Sequence, residues 1–138
     1  MKTYKYPIQV RFADLDGYFH VNHAVFLSYL EVARIAFIKD ELGSYFTDLF
    51  DEGTLFLLTK ASISYLKSIG LNDNIYVELW VGNIKHSTFT FQYEIKDDLN
   101  NIFAKAETES AMYSNLKKKP VRISENFKKT LKNYLKTE

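Results

Sequence analysis

The sequence predicts an α+β domain: an antiparallel β-sheet of about five strands wrapped around one long central helix, with a short helix near the C-terminus. Three observations predict it. A run from about Asn22 to Leu42 carries apolar residues at helical spacing around most of its circumference, which is the pattern of an enclosed helix. The segments that follow alternate apolar and polar residues with period two. Short polar turns join those segments, so neighbouring strands run antiparallel with one covered face. Because the long helix occurs once, before the strands, it is no repeated parallel crossover, and a sheet curled around it is the economical arrangement.

The elements follow in order. Tyr4–Phe12 is short and β-prone, with Tyr4, Tyr6, Ile8 and Val10 alternating with Lys5 and Gln9. A polar connection over Asp14–Asn22 leads into the helix. Asn22 is placed to cap it, since its side-chain oxygen can accept a first-turn N–H. Val25, Phe26, Tyr29, Leu30, Val32, Ala33, Ala36 and Phe37 form its apolar surface, and only Ser28, Glu31 and Lys39 gather on a narrow polar side. Gly43 stands where a left-handed residue ends a helix. Ser44–Thr54 reads as a loop, Leu55–Ile69 as a long strand and Gly70–Asn74 as a turn. Ile75, Val77, Leu79 and Val81 alternate with Tyr76, Glu78 and Trp80; Phe89, Phe91, Tyr93 and Ile95 do so with Thr90, Gln92 and Glu94. After a turn at Asp97–Asn101, the strand of Ile102, Ala104, Ala106, Thr108 and Ser110 completes the meander. Pro120 then precedes a terminal helix over Ser124–Leu135, which Ser124 can cap. A sheet of this kind leaves an edge strand, which pairing of two protomers would protect.

Length and composition bound the function. The chain has 138 residues, 46% of them hydrophobic, and 11 Phe and 10 Tyr, so one compact domain over residues 1–138 can bury a sizeable core. It contains no cysteine, which excludes disulfides, thiolate metal sites and a cysteine nucleophile. MKTYKYPIQV lacks the apolar run of a signal peptide, and no stretch reaches the ~18 uncharged apolar residues of a membrane span. A cytoplasmic location is the expectation. The net charge of +1 is unevenly spread: eight of the 18 Lys and Arg lie in residues 116–138, against two of the 17 Asp and Glu. Such a tail can attract a polyanion, and it equally suits the solvated face of a terminal helix. It lacks interleaved aromatics, so nucleic acid is not expected as a partner.

Chemistry concentrates in the loop A13-D-L-D-G-Y-F-H-V-N-H23. Two carboxylates and two imidazoles stand directly before a helix N-terminus, where free backbone N–H groups carry partial positive charge. Those groups can stabilise a developing oxyanion while a nearby carboxylate attacks or activates water, and a His can move a proton. Acyl transfer needs that pair of features. The same residue types also cap helices and solvate turns, and Asp14 is most simply a turn or strand-end residue. A metal would need more ligands than Asp16, His20 and His23 supply, since His86 is distant in sequence; no metal is expected. The glycines are scattered singly and no serine sits in a nucleophile-elbow pattern.

R11-F-A-D-L-D16 followed by H20-V-N-H-A-V-F-L-S-Y-L-E31-V-A-R34 resembles the 4-hydroxybenzoyl-CoA thioesterase branch of the hotdog-fold superfamily. A61-S-I-S-Y-L-K67, N74-I-Y-V-E-L-W-V and S87-T-F-T-F-Q-Y-E-I agree with that branch, so the resemblance spans nearly the whole chain. It implies a thioesterase acting on acyl-CoA, or on acyl-carrier-protein thioesters, with Asp16 as nucleophile or general base. The backbone N–H of His23 would polarise the thioester carbonyl, with His20 assisting. Phe19, Asn22, Lys67 and Lys85 would contact substrate or coenzyme A, and Lys117–Lys119 are further candidates for its phosphates. Coenzyme A is part of the substrate, so no separate cofactor is implied. A homodimer or homotetramer with interfacial sites is implied as well. Two residues depart from the family pattern. Phe19 replaces a glycine before His20, where its bulk would narrow the acyl pocket, and His23 replaces a second Asn. The Phe19 departure keeps a second reading open: a non-hydrolytic protein that binds acyl thioesters. A hotdog dehydratase or hydratase fits least, because the loop has no Pro and no Asn at the place such enzymes use.

Overall fold

The computed structural model describes residues 1–43, 46, 47, 49 and 52–136. In chain order the elements are β1 (Tyr4–Ile8), a 3-10 turn (Phe12–Asp14), α1 (His23–Leu42), β2 (Thr54–Tyr65), β3 (Ile75–Ile84), β4 (Thr88–Asp97), β5 (Ile102–Ser114), β6 (Lys119–Pro120) and α2 (Glu125–Asn133). The strands form one antiparallel sheet in the order β1-β3-β4-β5-β2, with β6 on β5. This is the single wrapped helix of the hotdog architecture expected from the sequence.

Helix α1 begins where its cap dictates: the Asn22 side chain accepts the Ala24 N–H at 2.9 Å. It ends at Gly43, whose φ of 56° only glycine adopts without strain. Its inner face brings Phe26, Leu30, Ala33 and Phe37 onto the sheet, all 1% exposed or less. The sheet answers with Val77, Leu79 and Val81 of β3 and Phe89, Phe91 and Tyr93 of β4, which alternate inward as their period predicts. Phe37 meets Tyr4, Phe91 and Tyr134 edge-to-face, and Phe56, Phe89 and Phe127 form a second ring cluster beneath α2. Each fully buried Phe stabilises the fold by roughly 2–3 kcal/mol.

Several boundaries differ from the sequence reading. Strand β1 stops at Ile8, because the chain turns at Phe12–Asp14 to bury Asp14. The two-residue β6 is too short to leave a periodic signal. Helix α2 spans Glu125–Asn133, and Ser124 caps it by accepting the Phe127 N–H. Part of the Ser44–Thr54 connection lies outside the described residues; within it Phe46, Thr47 and Leu49 have helical backbone. Helix α1 is less enclosed than its composition suggested, since Leu27, Val32 and Ile35 are exposed in the single chain.

Candidate active site

The loop before α1 is a closed, hydrogen-bonded unit. Its anchor is Asp14, which is 2% exposed. The Asp14 carboxylate accepts the Arg11 backbone N–H at 3.0 Å, the Arg11 guanidinium at 2.9 and 3.2 Å, and the Tyr29 hydroxyl at 2.7 Å. Burial alone would raise its pKa. The Arg11 N–H, the Tyr29 O–H and the Arg11 charge outweigh that and hold Asp14 below the usual carboxylate range. The pair shifts Tyr29 the other way, its phenol raised by burial and by donation to Asp14.

From this anchor the backbone folds back on itself. The Asn22 N–H donates to the Asp14 carbonyl at 2.9 Å, the Asp16 N–H to the His20 carbonyl at 2.8 Å, and the Phe19 N–H to the Asp16 carbonyl at 3.1 Å. The Val21 N–H bonds to the Ile69 carbonyl, and His20 bridges Gly70, so the segment after β2 clamps the loop from outside. The loop thus holds Asp16 at its turn. Asp16 Oδ1 accepts the N–H groups of Tyr18 at 2.8 Å and His20 at 3.3 Å, whereas Oδ2 has no hydrogen-bond partner among the described residues.

At the start of α1 the Ala24 N–H is taken by the Asn22 cap, and the Val25 N–H by the Asn22 carbonyl. The His23 N–H has no acceptor among the described residues, so it remains one of the orphan donors of the helix N-terminus. Tyr65, at the end of β2, forms the facing wall. Its hydroxyl donates to the His23 carbonyl at 3.0 Å, and its ring stacks on the His23 ring at 4.2 Å, with Phe26 edge-on to both. Asp16, His20, His23, Tyr65 and Lys67 line one cavity of about 480 Å³, with Tyr18 at its side. That size encloses a small ligand or part of a larger one. The cavity lining thus includes one residue with a carboxylate oxygen free among the described residues, Asp16, and one with a helix N-terminal donor free among them, His23.

The other sequence-derived candidates have separate places. Asn22 acts as the cap. Lys67 Nζ donates to Asn101 at 2.9 Å and lies over the Phe103 ring. Phe19 does not line the cavity; it is 70% exposed, so its bulk does not narrow the pocket in this chain. Lys85 follows β3, with its N–H on the Thr88 carbonyl, and Thr88 pairs with Ala111. Tyr65 pairs with Ala104, so Lys85 and the cavity lie at opposite ends of the sheet. Lys117 and Lys118, in the β5–β6 turn, lie at the Lys85 end as well, as does Lys119, which pairs with Ser114. Sequence reading missed Tyr65 as a wall residue; its signal was an aromatic closing a long strand two positions before Lys67. Among the described residues no three His, Asp or Glu converge to hold a metal, and no helix is long and apolar enough to cross a membrane.

Comparison with known proteins places this geometry in a family. The family model of the thioesterase-like superfamily matches residues 10–131. YneP of Bacillus subtilis (strain 168) is 28% identical over 127 residues, covering 92% of this chain and 91% of that protein. Acyl-CoA thioesterase YbgC of Haemophilus influenzae is 26% identical over 125 residues, covering 91% of each. The crystal structure of Slr0204, a 1,4-dihydroxy-2-naphthoyl-CoA thioesterase from Synechocystis, superposes with a TM-score of 0.86 at 22% identity, over 96% of this chain and 97% of that one. With a strand, loop and helix that bring Asp16 and His23 to one cavity, and a family match over most of its length, the chain belongs to the thioesterase-like superfamily.

Proposed function

We propose that this chain is an acyl-CoA thioester hydrolase whose chemistry is carried by Asp16 and the His23 backbone N–H. The observation that carries the reading is their shared cavity, with Asp16 Oδ2 and the His23 N–H both unpartnered among the described residues. The name of the Haemophilus relative supports the substrate class. The thioester carbonyl oxygen accepts the His23 N–H, whose partial positive charge stabilises the oxyanion as the carbonyl carbon becomes tetrahedral. Asp16 either attacks that carbon directly or removes a proton from an attacking water. On the direct route an Asp16–acyl C–O bond forms as the C–S bond breaks, the thiolate leaves and takes a proton from solvent, and water then hydrolyses the anhydride to free Asp16. On the water route the new C–O bond comes from water, the C–S bond breaks, and the proton held by Asp16 passes to the departing thiolate through His20 or solvent. The products are a carboxylic acid and a thiol. A screen of purified protein against short, medium, long and aromatic acyl-CoA thioesters, with matching acyl-carrier-protein thioesters, tests the reading. Release of thiol from at least one acyl-CoA is the expected result, and inertness toward the whole panel would reject it.

The working unit is a homodimer joined along β2. Among the described residues this strand pairs only with β5, so one row of its backbone N–H and C=O groups has no strand partner there. Leu57 and Leu58 on β2 and Leu27 on α1 are 40–49% exposed and flank that free edge. A second copy related by a two-fold axis can pair antiparallel there and cover them. Antiparallel pairing reverses the strand, which carries the basic residues Lys85 and Lys117–Lys119 of the second copy toward the cavity end of the first. It also reduces the solvent around Asp16, which is exposed in the single chain. Leu58→Lys places a charge on this edge and is expected to give a monomer in sedimentation velocity. KM for acyl-CoA would rise about tenfold, the loss of roughly one charge-assisted phosphate contact. A Leu58→Lys protein that remains dimeric would place the interface elsewhere.

A further inference from the structure

Phe19 is strained without a folding reason. Its φ is +62°, in the left-handed region that only glycine, and to a lesser degree asparagine, adopts readily; the strain costs about 1 kcal/mol or more. Of the two other non-glycine residues at positive φ among the described residues, Asn100 is of a type that tolerates it and Lys118 lies in the β5–β6 turn. Burial offers Phe19 no compensation. The residue is 70% exposed and makes no ring contact with any described residue. Its backbone N–H is fixed by the Asp16 carbonyl, so the turn aims the side chain outward rather than leaving it free to collapse. Beside it Tyr18, 83% exposed, is part of the cavity wall. Two adjacent aromatics thus stand exposed on a loop pinned from both sides, Tyr18 at the mouth of the cavity and Phe19 next to it, outside the lining.

The cavity sets what must lie at that mouth. Val21 and Phe26, both almost fully buried, belong to the apolar part of its lining and suit the acyl group. An acyl-CoA is larger than the 480 Å³ available, so its carrier arm leaves across the exposed rim. The Phe19-to-Asp16 hydrogen bond closes a tight turn, which keeps the two Cα atoms within about 7 Å. Phe19 therefore lies beside the Asp16 turn and just outside the cavity lining. In a pantetheine arm, the first apolar group beyond the two amides is the branched geminal-dimethyl carbon, about ten bonds or roughly 12 Å from sulfur when extended, which carries it out of the cavity and past the rim.

Building on the thioesterase reading above, we propose that Phe19, with Tyr18, forms an aromatic lip that seats the geminal-dimethyl group of the pantetheine arm. The lip makes Phe19 a specificity residue for the carrier rather than for the acyl group. A carrier that stops short of the branched carbon gains nothing from it.

Isothermal titration of wild type, Phe19→Gly, Phe19→Asn and Phe19→Tyr with coenzyme A and with pantetheine tests the proposal without requiring turnover. Gly and Asn both relax the left-handed backbone and remove the ring. Both variants are expected to melt at or above the wild-type temperature, yet bind coenzyme A and pantetheine about tenfold more weakly. Phe19→Tyr should retain wild-type affinity. In kinetics, the ratio of KM for an acyl-pantetheine to KM for the N-acetylcysteamine thioester of the same acid is expected to rise about tenfold in Phe19→Gly. Equal pantetheine affinity in wild type and Phe19→Gly would overturn the lip, as would KM values that rise equally for both carriers. Absence of hydrolysis by the wild type would reject the enzymatic reading alone, since the pantetheine titration still decides the role of Phe19.

Discussion

Asp16→Asn is expected to lower kcat on the best acyl-CoA substrate by at least about 10³-fold, whether Asp16 attacks the carbonyl or acts through water. The size follows from what the substitution removes. An amide has neither the charge to attack a thioester nor the basicity to take a proton from water, and the remaining His23 N–H can only polarise the carbonyl. The fold should not register the change. Asp16 is exposed, and the amide oxygen of Asn can still accept the Tyr18 and His20 N–H groups that Oδ1 holds now. The melting temperature should stay within a degree or two of wild type, and coenzyme A should still bind. Thiol-release kinetics, read beside a melting curve, separate the outcomes: undiminished turnover would remove Asp16 from the chemistry, whereas a large loss of stability would mean that the loop needs the charge to fold.

How much of this site can be read before folding depends on the range of the interactions that build it. Helix α1 and strands β3–β5 announce themselves through periodicity, because Ile75, Val77, Leu79 and Val81 must all face one way in any sheet with a covered side. The Asn22 cap and the Gly43 stop are equally local. The position of Asp16 before a helix start is local too, which is why one carboxylate can be singled out from sequence. Tyr65 is different: it meets His23 across 42 positions, and only the register of β2 on β5 brings it there. The anchoring of Asp14 by Tyr29 spans 15 positions and requires α1 to lie against the loop. Lys85 is hard to place from sequence for the same reason. A lysine in a turn carries no mark of which end of the sheet it occupies, and in the single chain it lies far from the cavity. Phe19 carries a signal that composition cannot interpret: a bulky residue at a glycine position suggests a blocked pocket, whereas the turn sends the ring outward.

Asp14, the carboxylate to which the proposed mechanism gives no chemical step, should be the costlier one to the fold. In Asp14→Ala the buried Tyr29 hydroxyl and the Arg11 N–H lose their acceptor together, and such orphaned groups cost about 1–3 kcal/mol each before relaxation or water entry. The guanidinium adds little, because the Arg11 side chain is 72% exposed and its ion pair is screened. A net loss of about 2–4 kcal/mol in urea denaturation is expected. Tyr29→Phe removes one hydrogen bond while leaving the carboxylate its Arg11 partners, and should cost about 1 kcal/mol. The pH dependence carries a definite sign. Asp14 is held below its unfolded pKa of about 3.9, so its stabilisation is complete above that pH and fades as pH falls through the lower folded value. The gap between wild type and Asp14→Ala should therefore be constant near neutrality and narrow below about pH 4. A gap that widened on acidification would show that Asp14 is protonated in the folded state. Activity should fall as well, because the Asp14 carbonyl accepts the Asn22 N–H beside the helix start and its side chain fixes the turn leading to Asp16. A displacement of about 1 Å between the carboxylate and the His23 N–H is enough to lower kcat by up to about 10²-fold. Unlike the loss in Asp16→Asn, this one should come with a lower melting temperature, and Tyr29→Phe should show a smaller share of both.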